Sequence, residues 1–233
     1  MLEVQSQFHK ENIIEISDLV FAYPNHPPVL NVKHLEIRRG EKVFIYGPSG
    51  SGKTTLLGLL AGVLSIQNGS IKILNKELAT MSGSERDHFR GNHLGYIFQM
   101  FNLIPYLTVE ENIRLPSELN PIRKKRLGDS SEKHLSSLTH ALGIEKLIGR
   151  KVTDLSVGQQ QRVAAARAVF GSPEIIIADE PTSALDYDHR ERFLELLFSE
   201  CDSTHATVLF VSHDRQLEKL FDRCISLKEV NQA

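Results

Sequence analysis

A short apolar run, Lys42–Tyr46, ends in the glycine-rich segment Gly47–Thr55 (GPSGSGKTT), and helical spacing over Thr54–Val63 starts inside that segment. Glycines at 47, 50 and 52 let the backbone adopt torsions that other residues disfavour. A helix opening on such a turn aims its unpaired N–H groups into the turn. Strand, turn and helix in that order belong to a parallel β/α layer, since the helix must pack back on the sheet it has just left.

The rest of the chain keeps that pattern. Ile13–Phe21 and Val29–Ile37 read as strands separated by the turn-rich YPNHPP, with further strands at Ser70–Leu74, Leu94–Phe98, Glu174–Ala178 and Ala206–Val211. A helix fits Asp188–Glu200. Between about Met100 and Phe170 polar helical stretches dominate, at Val109–Leu115, Ser131–Leu142 and Gly158–Phe170. The expected architecture is an α/β core with a mainly parallel sheet, and one domain over residues 1–233 into which about 100–170 insert a helical subdomain. The basic run Arg123–Arg126 reads as a solvated helical face, with contact to anionic lipid as its alternative.

Composition excludes several classes. A net charge of −2 leaves no basic footprint for nucleic acid. The cysteines, Cys201 and Cys224, lack metal-ligand spacing and suit a reducing compartment. No stretch reaches the ~20 apolar residues that cross a bilayer, and the polar N-terminus has no signal-like run. The expectation is a soluble chain that docks on an embedded partner if it works at a membrane.

The segment from Gly47 matches G-x-x-x-x-G-K-[ST] in its required setting, strand before and helix after. The backbone of Gly47, Pro48, Ser49, Gly50, Ser51 and Gly52 would wrap the phosphates of a nucleoside triphosphate. Lys53 would reach the β- and γ-phosphates, the Thr54 hydroxyl would ligate Mg²⁺, and Thr55 completes the segment. The strand that ends in Asp179 and Glu180 offers one carboxylate for Mg²⁺ and one as general base towards water. Tyr23 offers an aromatic face for a base, set against an ordinary turn tyrosine. His213 and Gln99 each follow an apolar strand. His213 would hydrogen-bond the γ-phosphate, and Gln99 would sense the γ-phosphate or the metal.

Leu155–Gln159 (LSVGQ) is the discriminating element. Ser156, Gly158 and Gln159 stand where a helix starts, and a hydroxyl with N–H groups at such a start binds an anion. One phosphate cradle already exists at 47–54, so a second makes most sense if it serves another subunit's nucleotide. The plainer reading is a capped helix with Ser156 as its N-cap.

Taken in order, Tyr23, GPSGSGKTT, Gln99, LSVGQ, IIIADE (Ile175–Glu180), SALD (Ser183–Asp186) and His213 resemble the ATP-binding subunit of ABC transporters from about Ile13 to Leu227. That resemblance implies a P-loop ATPase core with an antiparallel β subdomain and an inserted α-helical subdomain. It also implies a head-to-tail dimer, of two copies or of this chain with a paralogue, in which Ser156 and Gly158 of one cassette close over ATP held by Lys53 of the other. Asp186 would lie near the seam. The signature departs from the family at Val157, where a second glycine is usual. Valine would be strained if that backbone needs positive φ, and would merely narrow the loop otherwise.

Tyr96–Asn112 is similar to the lipoprotein-release, macrolide-export and cell-division branch, whose ATPases drive a permease from the cytoplasmic face of the inner membrane. In the apolar stretch after Gln99, Met100, Phe101, Leu103, Ile104, Pro105 and Tyr106 divide between core packing and a groove for that permease. Chromosome-type relatives need a long coiled-coil insertion and translation-associated relatives two cassettes, and this chain has neither. A small-molecule kinase would not need LSVGQ or His213. An ATP-driven regulator of a membrane partner that controls an extracytoplasmic enzyme remains as the alternative to transport.

Overall fold

Aliphatic and polar residues alternate through the first strands. The computed structural model, which describes residues 11–182 and 187–233, folds them into an antiparallel sheet. Strand β1 (Asn12–Ala22) pairs with β2 (Pro28–Arg38) on one edge and β4 (Asn68–Ile73) on the other, and β4 carries β5 (Lys76–Glu77). Ile14, Ile16, Leu19 and Phe21 face Ile37, Leu35, Val32 and Leu30 across the β1–β2 ladder, and all are buried. This is the period-two pattern of a half-buried sheet. The β1–β4 register slips between Ser17 and Val20, where Asp18 is left-handed at φ 48°. Gly69 is needed opposite, since a Cβ there would lie 2.4 Å from the Asp18 carbonyl oxygen.

Two compact units divide the chain. The chain up to Arg90, with Thr207–Ala233, forms one, and Gly91–Ala206 forms the other. In the first, β3 (Lys42–Tyr46) runs parallel to β8 (Thr207–Ser212) and to β9 (Arg223–Ser226), with Tyr46 level with Ser212 and Ser226. All of β8 and the centre of β3 are buried, as continuous apolar strands of a covered parallel sheet should be. Helix α1 (Lys53–Leu60) leaves the turn after β3, and α2 (Gly83–His93) starts from a reciprocal hydrogen bond between Ser82 and Glu85.

In the second unit, β6 (Leu94–Ile97) runs parallel to β7 (Ile175–Asp179). Between them come α3 (Val109–Leu119), α4 (Pro121–Leu127), α5 (Ser131–Ala141) and α6 (Val157–Val169). Helix α6 buries a run of small residues, Ala164–Ala166 and Ala168, and lies flush on β6: a Cβ on Gly95 would sit 2.2 Å from the Ala168 carbonyl oxygen. Helix α7 (Tyr187–Thr204) follows β7, and α8 (Leu227–Val230) follows β9 in the first unit. Ser183 and Asp186 lie outside the described residues.

The structure corrects the reading of the basic run. Arg123 is only 2% exposed, and its guanidinium donates to the carbonyls of Leu94, Ala168 and Phe170 while its Nε is buried without a partner. Burial, and then the Arg126 charge, push its pKa down to about 10 against the opposing pull of Glu174. Arg126 bonds the Asn92 and Ser172 carbonyls and pairs with Glu174. Lys124, Lys125 and Arg126 are exposed, so the expected solvated face holds for them and fails at Arg123. The helix around them starts with Pro121 in its first turn, where a missing N–H costs nothing.

Among the described residues no helix is long and apolar enough to cross a membrane.

Candidate functional site

The first unit gathers the phosphate loop, Tyr23 and His213. Gly50 and Gly52 have φ of 80° and 93°, and Gly52 is the left-handed N-cap of α1. A Cβ on Gly52 would meet Leu30 Cδ2 at 2.8 Å and the Val29 carbonyl oxygen at 3.1 Å, so the loop rests directly on β2. Lys53 is buried and its Nζ donates to the carbonyls of Gly47, 2.8 Å, and Pro48, 2.9 Å. An ammonium folded over its own loop can exchange those carbonyls for phosphate oxygens. Ser51 Oγ is buried and makes no hydrogen bond, an orphan polar atom that a bound phosphate would satisfy. These features fit a nucleotide triphosphate chain.

Tyr23 is 40% exposed. Its ring edge meets Phe21 at 5.1 Å and its hydroxyl lies 3.2 Å from Thr55 Oγ1, which fixes the ring beside the loop. Thr55 therefore serves Tyr23, whereas Thr54 is exposed at the helix start. A cavity of about 810 Å³ runs between Tyr23, Val29, Pro48, Ser49, Gly50 and Ser51, with Lys228 and Asn231 on its wall. Because Tyr46 is level with Ser212, the next residues, Gly47 and His213, leave the parallel strands at the same end.

In the second unit Ile97 is level with Ala178, so Gln99 and the pair Asp179 and Glu180 emerge together at the ends of β6 and β7. Gln99 is exposed, and Asp179 and Glu180 are half-buried. Burial, and then the Asp179 carboxylate, push the Tyr96 hydroxyl well above the usual tyrosine range, which places that carboxylate's charge beside β6. Glu180 has φ 44°, a conformation that is costly outside glycine, directly before Pro181. Gln161, on α6 and 1% exposed, donates to the Pro181 carbonyl at 3.0 Å.

Helix α6 begins with a capping box. Ser156 Oγ accepts from the Gln159 N–H, and Gln159 Oε1 accepts from the Ser156 N–H at 2.9 Å. The Gln159 side chain is spent on the cap. Ser156 keeps its hydroxyl proton and Gly158 stands in the first turn, an arrangement chemically able to take an anion. Val157 is the first helical residue, is absent from the positive-φ positions and is 50% exposed. The backbone therefore tolerates valine, which narrows the loop without straining it.

The stretch after Gln99 divides its apolar residues. Phe101 is buried, whereas Met100 and Tyr106 are 81% and 75% exposed. Phe101 and Asn102 are both left-handed, at φ 58° and 48°, and their carbonyls take hydrogen bonds of 2.6 and 2.7 Å from the Arg167 guanidinium, whose pKa burial lowers. Asn112, fully buried on α3, holds the next part of the stretch by bonding the Ile104 N–H and carbonyl. Gln161, Arg167 and Asn112 escaped the sequence reading. They lie in helices beside or after the motifs and contact only backbone, so the one available signal is a polar residue on a helix face otherwise apolar.

The ABC transporter family model matches residues 30–183. Over 223 residues the chain is 37% identical to the uncharacterized ABC transporter ATP-binding protein YbbA of Escherichia coli (strain K12), covering 93% of this chain and 95% of that one. Over 220 residues it is 38% identical to the bacitracin export ATP-binding protein BceA of Halalkalibacterium halodurans, covering 93% and 85%. The dimeric structure of MJ0796, a bacterial ABC transporter cassette, aligns with a TM-score of 0.78 at 32% identity over 91% of this chain and 93% of that one. The same cassette in a dimeric post-hydrolysis state bound to ADP and Pi aligns with a TM-score of 0.77 at 32% identity, with the same coverage.

Proposed function

As the chain belongs to the ABC transporter family, being one of its ATP-hydrolysing subunits, we propose that two copies, or this chain and a paralogue, close head to tail around ATP and drive a membrane permease. The reading is supported by two elements in one chain that are each able to take an anion, the loop at Gly47–Thr55 and the capped start of α6 at Ser156. A single nucleotide needs only the first. The whole chain acts as one ATPase domain, with about 100–170 as its helical insertion.

Lys53 exchanges the Gly47 and Pro48 carbonyls for the β- and γ-phosphate oxygens, the loop N–H groups bind the remaining oxygens, and Tyr23 stacks on the adenine. Ser156 and Gly158 of the second copy bind the γ-phosphate, so ATP favours the closed dimer by contacts the open form lacks. The Thr54 hydroxyl, Gln99 and the Asp179 carboxylate are oxygen donors of the kind Mg²⁺ takes. The ion would supply positive charge to the β- and γ-phosphate oxygens.

In the hydrolytic step Glu180 accepts a proton from water as its oxygen attacks the γ-phosphorus, and His213 hydrogen-bonds the γ-phosphate in line. The bond from phosphorus to the bridging oxygen breaks, leaving ADP and phosphate, and the dimer reopens. Met100, Pro105 and Tyr106 form the face that meets the permease, on the cytoplasmic side of the inner membrane, in export or in lipoprotein or lipid release. BceA is named for export, which favours transport over regulation of an enzyme.

Glu180→Gln removes the base and keeps the shape. With MgATP it should elute from size exclusion as a dimer, with hydrolysis reduced at least hundredfold. Elution only as a monomer at saturating ATP would sink the scheme.

A further inference from the structure

The phosphate-loop pattern says nothing of Asn231, yet this side chain joins two walls of the nucleotide cavity. Strand β9 returns alongside β3, α8 follows it, and Asn231 arrives at the rim that Val29 and Ser51 line. Its Oδ1 accepts from the Asn31 N–H at 2.7 Å, and its Nδ2 donates to the Val29 carbonyl at 2.9 Å and the Ser51 carbonyl at 3.3 Å. The Gln232 N–H also donates to the Asn31 carbonyl at 2.9 Å. Chemistry fixes the amide's orientation, since a flipped group would set its oxygen against two carbonyls.

We propose that Asn231 is a positioning residue for nucleotide binding, which holds the phosphate loop at Ser51 against the start of β2. The inference rests on reading this cavity as the ATP site. Gly52 already lies flush on Leu30 and Val29, so the loop cannot move closer to β2. Asn231 prevents it from moving away. Loop N–H groups serve phosphates only where they already point at them, and small displacements lose most of that benefit. The effect belongs to ground-state binding, because Asn231 acts on the walls and touches none of the reacting atoms.

The test uses the full chain with MgATP turnover, ADP calorimetry and thermal melting. Asn231→Asp matches the amide in size but sets a carboxylate oxygen against the Val29 and Ser51 carbonyls. KM for ATP and Kd for ADP should rise about tenfold with kcat within about twofold, and Asn231→Ala should give about a threefold rise. A residue that merely fastened the last residues to β2 would lower Tm and leave KM unchanged, and that result overturns the proposal.

If both variants fail to fold, hydrogen exchange in the unaltered chain decides. Residues 227–233 should gain protection with 47–55 when ADP binds, and unchanged exchange at 227–233 overturns the proposal. An unaltered chain that binds no nucleotide overturns the cavity's assignment and this inference with it. Tight binding by both the unaltered chain and Asn231→Asp overturns the inference alone.

Discussion

The phosphate loop and the stretch after Gln99 both leave the end of a parallel strand as irregular chain, but they are held by different means. The loop is shaped first by backbone, with glycines at φ 80° and 93°, a helix that starts on it and a strand against which Gly52 lies without a Cβ, and Asn231 only fastens that shape at the Ser51 carbonyl. The stretch after Gln99 is shaped by buried polar side chains that reach across from helices, Arg167 to Phe101 and Asn102, and Asn112 to Ile104. The division follows what each segment offers a ligand. A phosphate cradle must turn its N–H groups inward, which leaves no room for side chains. The stretch proposed to meet the permease turns Met100 and Tyr106 outward, so its carbonyls face in and need donors.

The comparison breaks most visibly at Gly52. Gly52→Ala adds a Cβ 2.8 Å from Leu30 Cδ2 and 3.1 Å from the Val29 carbonyl oxygen, at φ 93°. Left-handed backbone costs ~1–2 kcal/mol for a residue with a Cβ, and the contact must displace the loop. ATP affinity should fall at least hundredfold by fluorescence titration, and turnover should fall to background. Affinity within about threefold of the unaltered chain would show that backbone shape is not what sets the cradle.

The second unit is sharpened by Arg123→Met. The substitution leaves the carbonyls of Leu94, Ala168 and Phe170 without their donor in a site that is 2% exposed. At ~1–3 kcal/mol for a buried group left unpaired, and with methionine recovering some packing, the loss should be about 3 kcal/mol. For a chain of this size that is ~6–12 °C in Tm by calorimetry. ADP affinity should stay within about threefold, because Lys53, Tyr23 and the glycine loop are held inside the first unit. Loss of ADP affinity in parallel with Tm would show that the two kinds of support are not separable.

Legibility in the sequence follows the same line. Lys42–Tyr46 is a strand with the bounds its apolar run indicates, and the expected strands at Ile13–Phe21 and Val29–Ile37 extend by one residue at each end. Periodicity is local, and in these segments burial is simple. Helix α2 was missed because Phe89 is its one buried apolar side chain, although Ser82 and Glu85 carried a capping-box signal. Arg123 was misread because a buried arginine in a basic run looks like a solvated one until β6 and α6 bring their carbonyls to it. The candidate site could be named from the sequence where the proposed ligand would dictate residue type, as at Lys53, Asp179 and Ser156. It was not where a residue serves only backbone, as at Gln161 and Asn231, or where strain is stored, as at Glu180 with φ 44°.

Val157 is the smallest expected effect and the most direct test of how the start of α6 is held. Were that start shaped like the phosphate loop, by backbone that only glycine adopts, valine would be strained and glycine in its place would restore a proper cradle. The structure shows a helical first residue instead, with Ser156 and Gln159 closing the cap around it and the valine side chain 50% exposed. Glycine there would relieve no strain. It would loosen the helix start by up to ~1 kcal/mol, while removing a branched side chain beside the anion site. The two effects oppose each other, and the Ser156 cap, worth ~1 kcal/mol, stays in place in the variant. Turnover of Val157→Gly should therefore equal that of the unaltered chain or rise up to about threefold, with Tm within about 2 °C. A sharp fall would mean that valine makes a contact in the closed dimer that this helix start does not display on its own.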